Sequence, residues 1–342
     1  MRRNLLYPIV VLLVFSCISR NPADKKAIEL SNWEFKMVSR GANQPDFRTS
    51  ADSIQYIPIL LHQGFTTTEI KQFFKWNEEE FKAKLDNLVG NDFLVRKGME
   101  YVPSVMVISE TEALGIREEL KPIAESITTA IAEQMDSIQI KTRAISCFSK
   151  FEFEDLSLLV LSNVLLDSGQ LGNIEREYLK KKRPLRKGKR YYASYQQKGK
   201  AEFEALGIYG NQIQMHSGFA LCRYGNQRYN EDVLNKNAQI LADYKKQANS
   251  EIFDFPIISN SCDSEIQGLA DYFLPFLLKI VEDNTLLLVN SYQNSQYATE
   301  ISFEEYFMWV YHIIYSHATE MLIDLRLITV PEEKVSFYIY QP

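Results

Sequence analysis

Residues 66 to 108 carry a dense set of local folding signals. Thr66 with Glu69 three places on is a capping box, in which each end of the first turn satisfies the other's backbone N–H. Ile70, Phe73 and Phe74 form an apolar stripe behind it, and Asn77 with Glu80 offers a second cap. Two short helices in succession follow from this spacing. The second carries Phe81, Leu85 and Leu88 on one face and stops at Gly90, a residue suited to a left-handed terminator. Phe93-Leu94-Val95 then reads as a strand, Lys97-Gly98 as a tight turn, and Tyr101 to Ile108 as the returning strand.

Helix, turn, helix and hairpin in this order resemble a winged helix, which implies a second helix able to read DNA. With Phe81, Leu85 and Leu88 inward, that helix presents Glu79, Lys82, Ala83 and Asp86, a net negative face poorly suited to phosphates. A structural or protein-binding use of the fold is the better expectation. A helical stretch from Glu110 to Gln134 follows, interrupted at Pro122. Residues 137 to 146 read as a strand, Asp155 to Leu166 as an apolar helix stopped near Gly169, and 173 to 182 as a short polar helix before a basic hairpin.

A weak repeat links the two stretches. Lys97-Gly98-Met99-Glu100-Tyr101 leads to Glu112-Ala113-Leu114-Gly115-Ile116, and Lys187-Gly188-Lys189-Arg190-Tyr191 leads to Glu204-Ala205-Leu206-Gly207-Ile208. Arg190-Tyr191-Tyr192 with Lys198-Gly199 also resembles the wing-to-helix passage of winged-helix transcription regulators. In the C-terminal third, Ser302 with Glu305 caps a helix whose stripe is Phe307, Val310, Ile314, His317 and Met321. Residues 327 to 330, a turn at 331 to 334, and Val335 to Tyr340 then read as a closing hairpin. The expected fold is α+β, mainly α: tandem winged-helix-like domains over 46–136 and 137–226, then a helical C-terminal domain over 227–342 ending in a β-hairpin.

The N-terminus bears on location. Arg2 and Arg3, the apolar run at residues 5 to 14, and Val14-Phe15-Ser16-Cys17 stand in the order of a signal peptide over 1–16. The run is too short for a permanent span, and Pro8 disfavours one further. Val14, Ser16 and Cys17 resemble the lipobox of bacterial lipoproteins, although Phe15 is bulkier than that pattern prefers. The resemblance implies cleavage before Cys17, a diacylglycerol thioether on its sulfur and acylation, palmitate among the chains, of the new amino terminus. Residues 17–45 would then hold the lipidated cysteine and a polar tether. Ile18 lacks the acidic character that the family uses for inner-membrane retention, so an outer-membrane destination is favoured.

The net charge of −6 gives no reason to expect a polyanion as main partner. Yet residues 180 to 190 hold Lys180, Lys181, Lys182, Arg183, Arg186, Lys187, Lys189 and Arg190, a candidate contact for anionic lipid, an acidic envelope protein or nucleic acid. Behind a lipid anchor nucleic acid is the least favoured of these, and a solvated hairpin tip is the plainer reading. His312 and His317 lie about 140° apart on a helix and do not share one metal easily. His317 and Glu320 do share a face, and are the one acid–base pair worth weighing, against a buried core histidine. Tyr209-Gly210-Asn211-Gln212 recurs as Tyr224-Gly225-Asn226-Gln227, and both read as turns that could together form a polar edge. Of Cys17, Cys147, Cys222 and Cys262, three remain if Cys17 is lipidated, allowing one disulfide of undetermined pairing or three reduced, buried thiols.

No cofactor, metal or catalytic motif is recognisable. The reading is a non-catalytic envelope lipoprotein that binds or scaffolds at a membrane surface. An envelope hydrolase using the C-terminal third, or a DNA-binding winged-helix regulator, are its alternatives.

Overall fold

The computed structural model describes residues 32–39, 43–199, 203–246 and 253–341. The signal segment and Cys17 lie outside the described residues. The protein is α+β and mainly α, with three small sheets among helices in the described residues.

The first unit has the expected element order: α1 (Tyr56–His62), α2 (Thr67–Phe74), α3 (Glu78–Gly90), β2 (Leu94–Lys97) and β3 (Glu100–Pro103). Thr66 N donates to Glu69 Oε2 at 2.7 Å while Glu69 N donates back to Thr66 Oγ1 at 3.2 Å, so the capping box is complete. Asn77 Oδ1 accepts from Glu80 N at 2.8 Å. Gly98, at φ +64°, turns the hairpin. Two details differ from expectation. Helix α3 runs through Gly90, and the left-handed residue after it is Asp92, at φ +59°. The returning strand ends at Pro103, and β4 (Met106–Ile108) leaves the hairpin for another sheet.

That sheet shows that residues 33 to 39, expected in the tether, are structural. They form β1 (Trp33–Ser39), antiparallel to β6 (Lys189–Gln197), with Phe35 opposite Tyr195. On its other side β6 pairs parallel with β4, Val107 opposite Tyr195, and β5 (Leu185–Arg186) makes its hairpin. A second sheet repeats this plan. Its strands are β7 (Gly210–His216), β8 (Phe219–Gly225), β9 (Ile257–Ser259) and β10 (Val335–Gln341). Here β10 is antiparallel to β8, Ile339 opposite Leu221, and parallel to β9, Ile339 opposite Ile257. The expected closing hairpin is therefore absent: residues 327 to 330 form no strand, and β10 finds its partners far back in the chain.

The helices repeat too. The first set is α4 (Glu110–Glu119), α5 (Lys121–Glu133), α6 (Met135–Arg143), a 3-10 turn (Ser146–Phe148) and α7 (Phe153–Ser157), which widens into a π-helix (Leu158–Val164). The second set is α10 (Asn260–Asp283), α11 (Thr285–Gln293), a 3-10 turn (Gln296–Thr299) and α12 (Phe303–Asp324). Their ends match at a constant offset: 133 with 283, 135 with 285, 143 with 293, 153 with 303. The chain is thus an internal duplication, different from the wing repeat read in the sequence. The expected strand over 137–146 is helix α6, because Ile138 and Thr142, four apart, are buried whereas Ile140 is 68% exposed.

The two copies interleave. Helix α12 of the second copy packs on β4 and β6 of the first, and the π-helix of the first packs on β8 and β10 of the second. Their side chains bond across: Ala193 N donates to Glu305 Oε1 at 2.8 Å, and Ser162 Oγ lies 2.7 Å from Tyr224 Oη. One continuous core runs from Met106 to Tyr338. It crosses the expected domain boundaries at 136 and 226, so residues 137–226 and 227–342 share one body instead of forming successive domains. After the second hairpin, residues 205 to 207 make a single turn with Leu206 at φ +61°, not the helix of a second winged unit.

Each sheet has a separate cover on its outer face. Tyr191, Ala193 and Tyr195 of β6 face the first unit, while Val335, Phe337 and Ile339 of β10 face α9 (Glu231–Lys246) through Val233 and Ile240.

Cys147, on the turn before α7, forms a disulfide with Cys262 on the first turn of α10, tying one copy to the other; Cys222 is buried and reduced. Peptide mapping without reductant is expected to recover the 147–262 pair. Replacing both by Ser lowers stability by about 2–5 kcal/mol, read by denaturant titration; a 147–222 or 222–262 peptide, or an unchanged midpoint, contradicts this.

Candidate functional site

A cavity of about 520 Å³ opens where the two copies meet. Strand β1 forms one wall, the turn into α8 (Ser168–Ile174) another, and α12 the floor through Trp309, His312 and Tyr315. Those three residues follow at intervals of three and so form one slanting row on the helix. The start of β7 and the segment Arg228–Tyr229 close the remaining side.

Its polar groups come from five separate parts of the chain. Glu204 is buried, and its Oε2 lies 2.6 Å from Lys36 Nζ and 2.9 Å from an Arg228 terminal nitrogen. Arg228 also donates to the Gly225 carbonyl at 2.6 Å and to the Gly210 carbonyl. Burial alone would pull the Lys36 ammonium down, but Glu204 and Glu34 outweigh it and hold the pKa above its ordinary value. Two atoms of this network, Glu204 Oε1 and Arg228 Nε, are enclosed without a hydrogen-bond partner among the described residues. Such atoms cost free energy unless something meets them.

His312 Nδ1 donates to the Met308 carbonyl at 2.7 Å, which leaves Nε2 as the lone-pair nitrogen. Burial, with Arg228 adding to it against the Met308 carbonyl, pushes His312 down to about 4, so the ring is neutral near pH 7. Asp167 does the converse: burial pushes its carboxyl up to about 7 against the Tyr315 hydroxyl and Arg228. Its placement depends on Gly169, where an added Cβ would stand 2.3 Å from the Val164 carbonyl oxygen. A wide helix closing into α8 at this point is a form often found at functional sites.

A second cluster joins the first unit to the body. Buried His62 of α1 has Nε2 at 3.1 Å from Glu112 Oε1 of α4 and Nδ1 at 2.7 Å from Glu300 Oε2. Burial would lower its pKa, but the two carboxylates override this and raise it to about 9; the same contacts take Glu112 down to about 2. The result is an imidazolium held between two carboxylates, a structural clamp beside a cavity of about 730 Å³.

The residues picked out in the sequence fare unevenly. The basic stretch is largely spent on internal bonds. Arg183 is buried and bidentate on Glu175, and Arg186 is buried on Glu305 at 2.9 Å, so neither reaches a surface. Lys181 pairs with Glu304, Lys189 lies 3.6 Å from Asp46, and Arg190 donates to the Arg183 carbonyl at 2.8 Å. Lys180, Lys182 and Lys187 are exposed. His317 is only partly buried, outside the core stripe it was expected to join, and Glu320 is bound to Arg117 instead. The two Tyr-Gly-Asn-Gln segments are not turns. They are facing strand ends, Gly210 opposite Gly225 and Asn211 opposite Tyr224, and the first of them lines the cavity. Among the described residues no group of three or more His, Cys, Asp and Glu is placed to hold a metal ion.

Lys36, Asp167, Glu204 and Arg228 carry no local signal, since nothing in the sequence near each one points to the others. The repeated Tyr-Gly-Asn-Gln pair was the one pointer to their neighbourhood. Comparison with protein-family models, with curated proteins and with solved structures returns no match.

The His62 clamp sets a pH window. Its folded pKa near 9 exceeds the unfolded value near 6.5, so its contribution is complete below 6.5 and is lost as pH rises through 9. Melting temperature should fall across that interval, by the equivalent of up to about 3 kcal/mol. The His62→Gln variant should start lower and change less; parallel curves for the two proteins would refute the clamp.

Proposed function

We propose that the protein is a lipid-anchored component of the bacterial cell envelope, held at the outer membrane through Cys17, whose body acts by binding a small polar ligand in the cleft between its two copies. The observation that carries the binding reading is the convergence of Lys36, Glu204, Arg228, Asp167 and His312 on one cavity. A concave site with a few convergent polar groups is how small-molecule sites are built.

Export is supported by the charge, apolar run and lipobox-like ending of residues 1 to 17, and by the Cys147–Cys262 bond, a feature suited to an oxidising compartment. Reading of DNA is disfavoured by α3, whose exposed residues include Glu79, Lys82, Ala83 and Asp86, with Lys82 paired to Asp86. Exposed Lys180, Lys182 and Lys187 leave a modest basic edge for anionic lipid.

Metabolic labelling with a palmitate analogue, followed by membrane fractionation, tests the anchor. Wild-type chain should take up label and pellet with outer membranes, and Cys17→Ala should lose both. Equal labelling of the two proteins, or none in either, would sink the anchored reading while leaving the cleft untouched.

A further inference from the structure

We infer that the cleft takes an extended peptide of about five residues, held through its main chain by the free edges of β1 and β7. This rests on the reading of the cleft as a ligand site and names the class of ligand.

The two strands are outer members of their sheets, in the orders β1-β6-β4 and β7-β8-β10-β9, and they do not pair with each other. Both run for seven residues, whereas β4 and β9, at the opposite ends of those sheets, have three each. Long open edges are ordinarily blunted by charge, by proline or by a cover. Strand β7 reads GNQIQMH, with no Asp, Glu, Lys, Arg or Pro. In β1 the two charges are engaged, Lys36 with Glu34 and Glu204, and Glu34 with Lys198. Every residue of β7, and every residue of β1 after Trp33, is at least partly exposed, whereas the inner strand β8 is buried from Ala220 to Gly225.

The alternation of ladder bonds shows which backbone groups are free. Lys198 N donates to the Asn32 carbonyl at 2.5 Å, while Ala193 N, opposite Met37, donates to Glu305 and not to β1. Bonded and unbonded pairs alternate in an antiparallel ladder, so Glu34, Lys36 and Val38 bond to β6. The N–H and C=O of Phe35, Met37 and Ser39 therefore point away from it. In β7 the two-residue turn makes His216 and Phe219 a bonded pair, and the same alternation turns Asn211, Ile213 and Met215 outward. Among the described residues no further strand pairs with either row.

Both edges reach one cavity. Residues 35 to 39 and 210 to 213 line it consecutively, which a strand does when it fronts a space with its edge and not with one face. The free groups of such an edge recur every second residue, about 6.8 Å apart, donor beside acceptor. A compact polar molecule meets one repeat of this row. Another extended chain meets the row itself, which is how open sheet edges take peptides. The five lining residues of β1 set the length, and Ile213, 55% exposed, stands on the β7 edge to meet the peptide's side chains.

Isothermal titration of the full chain in detergent with the peptide acetyl-Thr-Val-Thr-Val-Thr-amide tests this. The same peptide N-methylated at its second and third residues, which blocks one N–H on each of its edges, is the matched control. Inorganic phosphate and putrescine serve as compact charged probes. The parent peptide should bind one-to-one, and N-methylation should weaken it by about tenfold or more. Met37→Pro and Ile213→Pro each remove an outward N–H without breaking a sheet bond, and should weaken it by a similar factor. If either variant melts early, the N-methylated peptide gives the same reading on the unaltered protein. Phosphate or putrescine binding that Lys36→Gln weakens, with no peptide binding, would keep the cleft as a site but overturn the peptide assignment. Heat from none of the probes overturns both, and peptide binding indifferent to N-methylation and to both proline variants overturns the inference.

Discussion

Glu305 is the residue on which the interleaving turns. Three places after Ser302 it would ordinarily point back and close a capping box, and Ser302 Oγ does accept its backbone N–H at 3.3 Å. Its carboxylate goes forward instead, to Ala193 N of β6 and to Arg186 of the hairpin beside it. Burial pushes its pKa up while Arg186 and the Ala193 N–H pull it back. Loss of one partner of such a pair leaves an unpaired charge in the core, at a cost of about 3–5 kcal/mol. One carboxylate thus fixes the second copy's helix, the first copy's sheet and the basic hairpin in a single arrangement.

From that lock the rest of the body follows. With α12 committed to the first sheet and the π-helix to the second, neither copy can bury its own sheet. The halves must fold around each other, and Cys147–Cys262 closes the same arrangement covalently. The outer faces are then left for dissimilar covers, the first unit on one sheet and α9 on the other. The cleft lies along the seam, which is why its residues come from β1, the turn before α8, the segment after β6, the end of β8 and α12.

What the sequence made legible was whatever is settled within a few residues: the Thr66 and Asn77 caps, the stripe of Phe81, Leu85 and Leu88, the break at Pro122, the turns at Gly98 and Gly188. What it hid was pairing over distance. The residues 137 to 146 alternate apolar and polar like a strand, yet burial of Ile138 and Thr142 on one helical face decided otherwise. The run at 180 to 190 looks solvated because charge density is visible in sequence and its partners are not; Glu305 lies more than a hundred positions from Arg186. The duplication escaped because its copies share burial and element lengths more than residues. The wing-like similarity that was visible joined two turn glycines, Gly98 and Gly188, whose following segments fold differently.

The duplication also supplies an internal control for the cleft. Counted from Phe153 and Phe303, the first residues of α7 and α12, the row Trp309, His312 and Tyr315 stands where the first copy has Leu159, Ser162 and Leu165. The widened turn moves the match by no more than one residue, to Asn163 and Leu166. Both helices cover the other copy's sheet and both are buried along this face. Leu159 and Leu165 show that packing at these positions is met by plain aliphatic side chains, and Ser162 spends its hydroxyl on Tyr224 and Thr319 within the core. Packing accounts for Tyr315, whose hydroxyl donates to the Tyr209 carbonyl at 2.7 Å, but gives no reason for His312 in place of Ser162. A buried, desolvated imidazole on this face is a cost that the sister helix, with Ser162 in that place, does not carry. Binding of something in the cleft is what would repay it.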